Sequence, residues 1–223
     1  MVKETLDRLS QELAPYQATL VAVSKTHPPA HLMPAYDWGQ RDFGENKVQE
    51  MVDKAAVMPK DIRWHLIGHL QTNKVKFIAP FVHLIHAVDS LKLLEEISKR
   101  ALQHERIIDV LLQFKIAEED TKFGYDPEEV FDMLASGEWQ QLQGVRIVGV
   151  MGMASFTEDE TQVATEFSLL KQYFNRIKNT WFAEVPSFKE ISMGMSGDYQ
   201  IALAQGSTMV RVGSMIFGER NYL

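Results

Sequence analysis

The stretch Leu20-Val21-Ala22-Val23-Ser24-Lys25-Thr26-His27-Pro28-Pro29 sets the reading of the whole chain. Small and β-branched residues from Leu20 to Val23 make a short apolar run, the pattern of a buried strand. Pro28 and Pro29 stop that strand, because proline cannot donate to a sheet ladder. Lys25 therefore stands where a buried strand reaches the lip of whatever pocket the sheet supports. Desolvation there shifts an amine toward the free base that attacks carbonyls. Taken alone, the segment favours a lysine that merely extends its ammonium to water. The far end of the chain changes that balance.

That far end contains Ser192-Met193-Gly194-Met195-Ser196-Gly197-Asp198 and, soon after, Gly206-Ser207-Thr208-Met209-Val210-Arg211-Val212-Gly213-Ser214. Each is a strand-like segment that opens into a Gly/Ser turn ahead of a short helix. Such turns expose backbone N–H groups and hydroxyls, which suit a phosphate. Two of them near the C-terminus of an alternating β/α chain match the phosphate site of a (β/α)8 barrel. Each turn alone is weak evidence; together, placed last in the chain, they point to one mouth.

Composition narrows the class. A chain of 223 residues, 45% hydrophobic and 24% charged, can bury one sizeable core. A net charge of −7 argues against nucleic acid as a partner. With no cysteine in the sequence, disulfides, thiol catalysis and thiolate metal sites are excluded. The opening MVKETLDRLSQEL is amphipathic and lacks an apolar signal core, and no apolar run approaches bilayer-spanning length. The expected location is the cytoplasm, with no membrane partner.

Read in order, the chain alternates. Leu6, Leu9 and Leu13 give a leading helix over 1–14, ended by Pro15. Strands are expected near 20–25, 42–46, 63–68, 82–88, 107–114, 145–151, 188–193 and 208–212, with helices between them. Ser90 caps one helix; Asp126-Pro127-Glu128-Glu129 starts another with three agreeing signals. Thr157 with Glu160 reads as a capping box for the long helix after strand six. Near-continuous apolar strands imply a parallel sheet buried on both faces. The expectation is a single (β/α)8 TIM barrel domain over residues 1–223, with an open flavodoxin-like sheet as the alternative.

Strand ends then collect Lys25, Asn46, His65, Asp89, Met151, Ser192, Ser196, Arg211, Gly213 and Ser214 at one mouth. An amine, two phosphate-binding turns and a fixed cation suit a phosphorylated aldehyde held as a Schiff base, as pyridoxal 5′-phosphate is. No metal site is expected: His65 and His69 straddle a strand end, which suits hydrogen-bonded mouth histidines. His83 and His86 are read as residues on alternate faces of strand four. The acidic runs Glu118-Glu119-Asp120 and Glu158-Asp159-Glu160 are read as solvated loop and helix-start residues.

Five motifs carry a resemblance over nearly the whole chain: AVSKTHP, FGENKVQE, WHLIGHLQTNK, SMGMSGD and GSTMVRVGSMIFGER. With them the chain resembles the pyridoxal-phosphate homeostasis protein family. That resemblance implies the alanine-racemase-like barrel, fold type III among pyridoxal-phosphate proteins, usually monomeric. It implies that Lys25 forms the aldimine and that Asn46 lies beside the cofactor. Ser192, Ser196, Gly213 and Ser214 would hold the phosphate, Arg211 would face the pyridine nitrogen, and Met193 and His65 would line the pocket. The segment Gln113-Phe114-Lys115-Ile116 departs from the family pattern and stays unassigned.

The resemblance implies a carrier of intracellular pyridoxal 5′-phosphate (vitamin B6) rather than an enzyme, with pyridoxal-phosphate-dependent apo-enzymes as possible recipients. The alternative is an amino-acid racemase or decarboxylase on the same barrel, and a weaker one is a Schiff-base aldolase. Racemases of this fold type close the cofactor with a second domain, and the chain ends at Leu223, shortly after Ser214.

Overall fold

The computed structural model describes residues 2–118 and 123–218. Glu119 and Asp120 of the first acidic run, and Glu219 and Arg220 of the last motif, lie outside the described residues. Eight parallel strands follow one another around a closed barrel: β1 (Thr19–Val23), β2 (Asp42–Glu45), β3 (Arg63–Leu66), β4 (Leu84–Val88), β5 (Ile108–Gln113), β6 (Val145–Met151), β7 (Glu190–Met195) and β8 (Met209–Val212). β8 pairs with β1 and closes the ring, so the open-sheet alternative falls.

Alternation along the strands sorts side chains into two layers. Val21, Leu84, Ala87, Leu111, Val148, Met151 and Met209 fill the barrel interior. Their neighbours, such as Ala22, Phe43, Leu66, Ile85 and Met193, pack outward against the helices. Those helices are α1 (Val2–Leu13), α2 (Pro29–Trp38), α3 (Val48–Val57), α4 (Val75–Ile78), α5 (Leu91–Leu102), α6 (Pro127–Ser136), α7 (Glu160–Trp181), α8 (Tyr199–Ala204) and α9 (Ser214–Phe217). The leading helix α1 buries Leu6, Leu9 and Leu13 and is tied to α2 and α8 by Trp38 Nε1–Asp7 and Tyr199 OH–Glu12 hydrogen bonds.

Most expected boundaries hold within a residue or two, and four readings need correction. The long helix α7 is not capped by a Thr157/Glu160 box. Asp159 is its N-cap, accepting from the N–H groups of Thr161 and Gln162, while Thr157 Oγ1 accepts from Asp159 N–H. Strand seven starts at Glu190 rather than 188, because Phe188 stacks between Phe174 and Phe182 in the outer layer. The helix expected over 72–78 divides into a 3-10 turn and the single turn of α4. His83 and His86 do not point to opposite faces: both rings lie against His65, at centroid distances of 5.4 and 5.2 Å. The β4–β5 register slips between Ile85 and Val88, and His83 precedes the strand proper.

The floor of the barrel, at the strand N-termini, is ionic. Arg63 pairs with Asp42 and Arg146 with Asp109, each through two hydrogen bonds. They border a cavity of about 520 Å³ that also touches His65, His83 and Glu190. These charges satisfy one another, and in this fold the N-terminal face serves stability while chemistry gathers at the C-terminal face.

Candidate functional site

Strand register brings Lys25, Asn46, Gly213 and Ser214 to neighbouring strand ends. On one side Val23 of β1 pairs with Gly44 of β2; on the other Ala22 pairs with Val212 of β8. Two residues past Val23, half-buried Lys25 therefore emerges between Asn46, which follows β2, and Gly213-Ser214, which follow β8. Two glycines permit this crowding. A Cβ on Gly213 would lie 2.8 Å from the Val23 carbonyl oxygen, and one on Gly68 would lie 2.4 Å from that of Asn46.

The backbone that presents Lys25 is strained. Thr26, a β-branched residue, has φ of 68°, in the left-handed region. Three groups behind the turn hold it there. Ser24 Oγ donates to Glu45 Oε1 at 2.5 Å, Lys54 Nζ donates to the Ser24 carbonyl at 2.7 Å, and Thr26 N–H donates to Glu50 Oε1 at 2.5 Å. Lys54 also bridges the two carboxylates, at 2.6 Å to Glu45 and 2.8 Å to Glu50. Burial pushes the Glu45 carboxyl up to about 7, against the opposing pull of Lys54 and Ser24. Sequence reasoning missed this cluster. Glu50 and Lys54 are spaced four apart on α3, a spacing shared with ordinary surface ion pairs; only the fold buries Lys54.

On the β7–β8 side, Gly213 N–H donates to Ser196 Oγ at 3.4 Å, joining the two Gly/Ser turns. Ser196 is half-buried and Ser214 exposed, so both hydroxyls can reach a ligand at the mouth. Arg211 points inward and is 3% exposed. It donates from Nη1 to Ser192 Oγ at 2.6 Å and from Nη2 to the Gly152 carbonyl at 3.0 Å. Burial lowers its pKa to about 10, still cationic at neutral pH.

Three expected pocket residues are placed elsewhere. The Ser192 hydroxyl is fully buried between Arg211 and His86, away from the Ser196–Gly213 turn. His65 lies inside the barrel, bonded to His86 and to Asp42 at the floor, rather than lining the mouth. Met193, next to inward-facing Ser192, packs in the outer layer against helices. His69 is a mouth histidine as read, bonded to Asp89 at 3.1 Å and stacked on Phe123. Unassigned Gln113 is buried and donates to the Phe123 carbonyl.

Ligand-type atoms of Asp42, His65 and His83 lie within 4.8 Å of one another, the geometry of a metal site. Both Asp42 oxygens, however, already accept from Arg63 and one also from His65, so the Asp42 carboxylate is satisfied by the protein's own donors.

Residues 2–221 match the family model described as alanine racemase, N-terminal domain, which places the chain among the barrels of that class. A pyridoxal phosphate homeostasis protein of Aquifex aeolicus is 37% identical over 207 residues, covering 92% of this chain and 88% of its own. The one of Homo sapiens is 38% identical over 234 residues, covering 99% and 83%. Among solved structures, PipY of Synechococcus elongatus with PLP bound superposes with a TM-score of 0.87 at 35% identity, covering 98% of this chain and all of its own. The chain belongs to the pyridoxal phosphate homeostasis protein family.

Proposed function

We propose that this protein binds pyridoxal 5′-phosphate at the C-terminal mouth of the barrel and acts in homeostasis of that cofactor. The observation that carries the reading is the convergence, on the adjoining strands β7, β8 and β1, of two linked Gly/Ser turns, a buried arginine and a clamped lysine. The donor set fits the group: an amine for the aldehyde, hydroxyls and N–H groups for the phosphate, a guanidinium for the ring nitrogen. The buried polar atoms Thr26 Oγ1 and His27 Nδ1, next to Lys25, have no hydrogen-bond partner among the described residues. When bound, the cofactor supplies an aldehyde for covalent attachment and a ring able to withdraw electrons.

In this reading Lys25 is the attachment point, with Asn46 beside it. Ser196, Gly213 and Ser214 hold the phosphate. Arg211 faces the ring nitrogen; Ser192, His65 and Met193 act from behind rather than by contact. A guanidinium has donors but no acceptor, so the ring nitrogen facing it stays unprotonated. Such a ring stabilises negative charge poorly, which favours a carrier over a racemase or decarboxylase. The parent of the PipY structure with PLP bound, and the curated relatives named for pyridoxal phosphate homeostasis, support the same assignment. Among the described residues no helix is long and apolar enough to cross a membrane. We place the carrier in the cytoplasm as a monomer of one domain that delivers cofactor to apo-enzymes.

The test is a visible spectrum of the purified protein loaded with cofactor, followed by borohydride reduction and peptide mass spectrometry. The reduced adduct is expected on Lys25, and Lys25→Ala should lose the visible band. An adduct on Lys47 or Lys74 would reject the assignment.

A further inference from the structure

Arg211 is a buried cation with no carboxylate partner at hydrogen-bond distance among the described residues. Its Nη1 contact nevertheless begins a continuous line. Ser192 Oγ meets His86 Nδ1 at 2.9 Å, His86 Nε2 meets His65 Nδ1 at 2.9 Å, and His65 Nε2 meets Asp42 Oδ1 at 2.9 Å. Ser192 and His86 are 0% exposed, His65 1% and Asp42 8%. The line runs from the proposed cofactor mouth to the ionic floor of the barrel.

The two ends set its direction. Arg211 can only donate, so Ser192 Oγ accepts from it. Burial pushes Asp42 up, but hydrogen bonds from Arg63 and His65 outweigh that and hold it well below its ordinary value. Asp42 is thus an ionised acceptor, and His65 carries a proton on Nε2. The Ser192 hydroxyl proton has one acceptor within reach, His86 Nδ1, which leaves the His86 proton on Nε2, donating to His65 Nδ1. Every donor along the line from Ser192 to Asp42 then has an acceptor. The reverse order would need a proton on both His65 nitrogens and would strand the Ser192 O–H in a fully buried site. Burial, then the neighbouring His65, Arg211 and His83, hold His86 well below its ordinary value, in keeping with a neutral ring.

We propose that Asp42, His65, His86 and Ser192 are positioning residues, a head-to-tail hydrogen-bond chain through the barrel interior that orients Arg211 from a carboxylate at the opposite end. A carboxylate placed directly against Arg211 would occupy the donors needed at the mouth. The remote one acts through aligned, mutually polarising bonds while the Asp198 charge supplies the direct field on Arg211, and three of the five guanidinium N–H donors are left without a hydrogen-bond partner among the described residues. The role in cofactor binding rests on the reading that Arg211 faces the ring nitrogen; the chain itself does not.

The experiment is nitrogen-15 NMR of histidine-labelled, cofactor-free protein. In the wild type, His65 and His86 should both be neutral with the proton on Nε2. A doubly protonated His65, or a His86 proton on Nδ1, overturns the chain, and this measurement needs no variant. In Asp42→Asn the end group can donate as well as accept, so both histidines should become tautomer mixtures. A change at His65 with His86 untouched overturns the coupling. The same variant is then loaded with ring-nitrogen-15-labelled pyridoxal 5′-phosphate. A ring-nitrogen shift that differs from wild type supports transmission to the mouth. Coupled tautomers with an unmoved ring nitrogen overturn the orienting role and the placement of Arg211 at the ring, while leaving Lys25 as attachment point intact.

Discussion

Glu45 and Lys54 meet in a buried ion pair, Oε1 to Nζ 2.6 Å, directly behind the turn that presents Lys25. Both side chains are 5% exposed or less, and both also bind Ser24. The pair is therefore part of how the mouth is shaped.

Lys54→Met should uncouple the turn. Removing one partner of a buried pair typically costs about 3–5 kcal/mol, and here the loss also frees the Ser24 carbonyl. Chemical denaturation should show the drop, and cofactor affinity should fall with it. Retained affinity in a destabilised protein would mean that the clamp serves stability alone.

Glu45 gives a pH signature. Its folded pKa is raised to about 7 from 4.5, so the folded state binds the proton more tightly than the unfolded one. Stability from this group is greatest below about pH 4.5 and is lost as pH rises toward 7, by roughly 3 kcal/mol in all. Buried His86 and surface-lying His83, both with lowered pKa, work in the opposite direction below about pH 6.5. The difference between wild type and Glu45→Gln isolates the carboxyl. It should decline from pH 4.5 to 7, and a flat difference would refute the assignment.

The phosphate should carry much of the binding. Charge-assisted hydrogen bonds contribute about 1.5–3 kcal/mol each, so Ser214→Ala should weaken pyridoxal 5′-phosphate binding by about tenfold or more. Pyridoxal, without the phosphate, should bind far more weakly and be indifferent to that substitution. Equal affinities for the two ligands in a direct titration would remove the Ser196–Gly213–Ser214 cradle.

Gly68 sets the position of Asn46. An alanine Cβ would press within 2.4 Å of the Asn46 carbonyl oxygen, a backbone atom that can yield only by moving the end of β2. Gly68→Ala should lower both the melting temperature and cofactor affinity. Wild-type affinity in that variant would show that Asn46 is not part of the site.

Asp159, not Thr157, should matter more at the start of α7. Asp159→Ala removes two hydrogen bonds to helix N–H groups and should cost about 0.5–2 kcal/mol. Thr157→Ala removes one outside the helix and should cost less. Thermal melts of the two variants decide the order.

Local pattern was sufficient for the architecture. Short runs rich in apolar residues located most of the strands, because a parallel barrel strand is buried on both faces and its sequence shows it; β2, Asp42-Phe43-Gly44-Glu45, was found from its place in the alternation instead. The motif around Lys25 and the turns at Ser196 and Ser214 were legible for a similar reason: an amine at a strand end and exposed N–H groups depend on neighbours in sequence. The Lys54–Glu45–Glu50 clamp and the Arg211–Ser192–His86–His65–Asp42 line were not. Their members come from different strands and helices, and a charged or polar side chain looks the same in sequence whether solvent or another buried group satisfies it. Ser192 does follow the two-residue alternation, inward between outward-packed Ile191 and Met193, and so does His86, inward after outward-packed Ile85, but the alternation alone does not say which polar group each one meets. Barrel closure alone decided which polar groups face each other, since pairing across the interior depends on shear and register, which no local stretch of chain encodes.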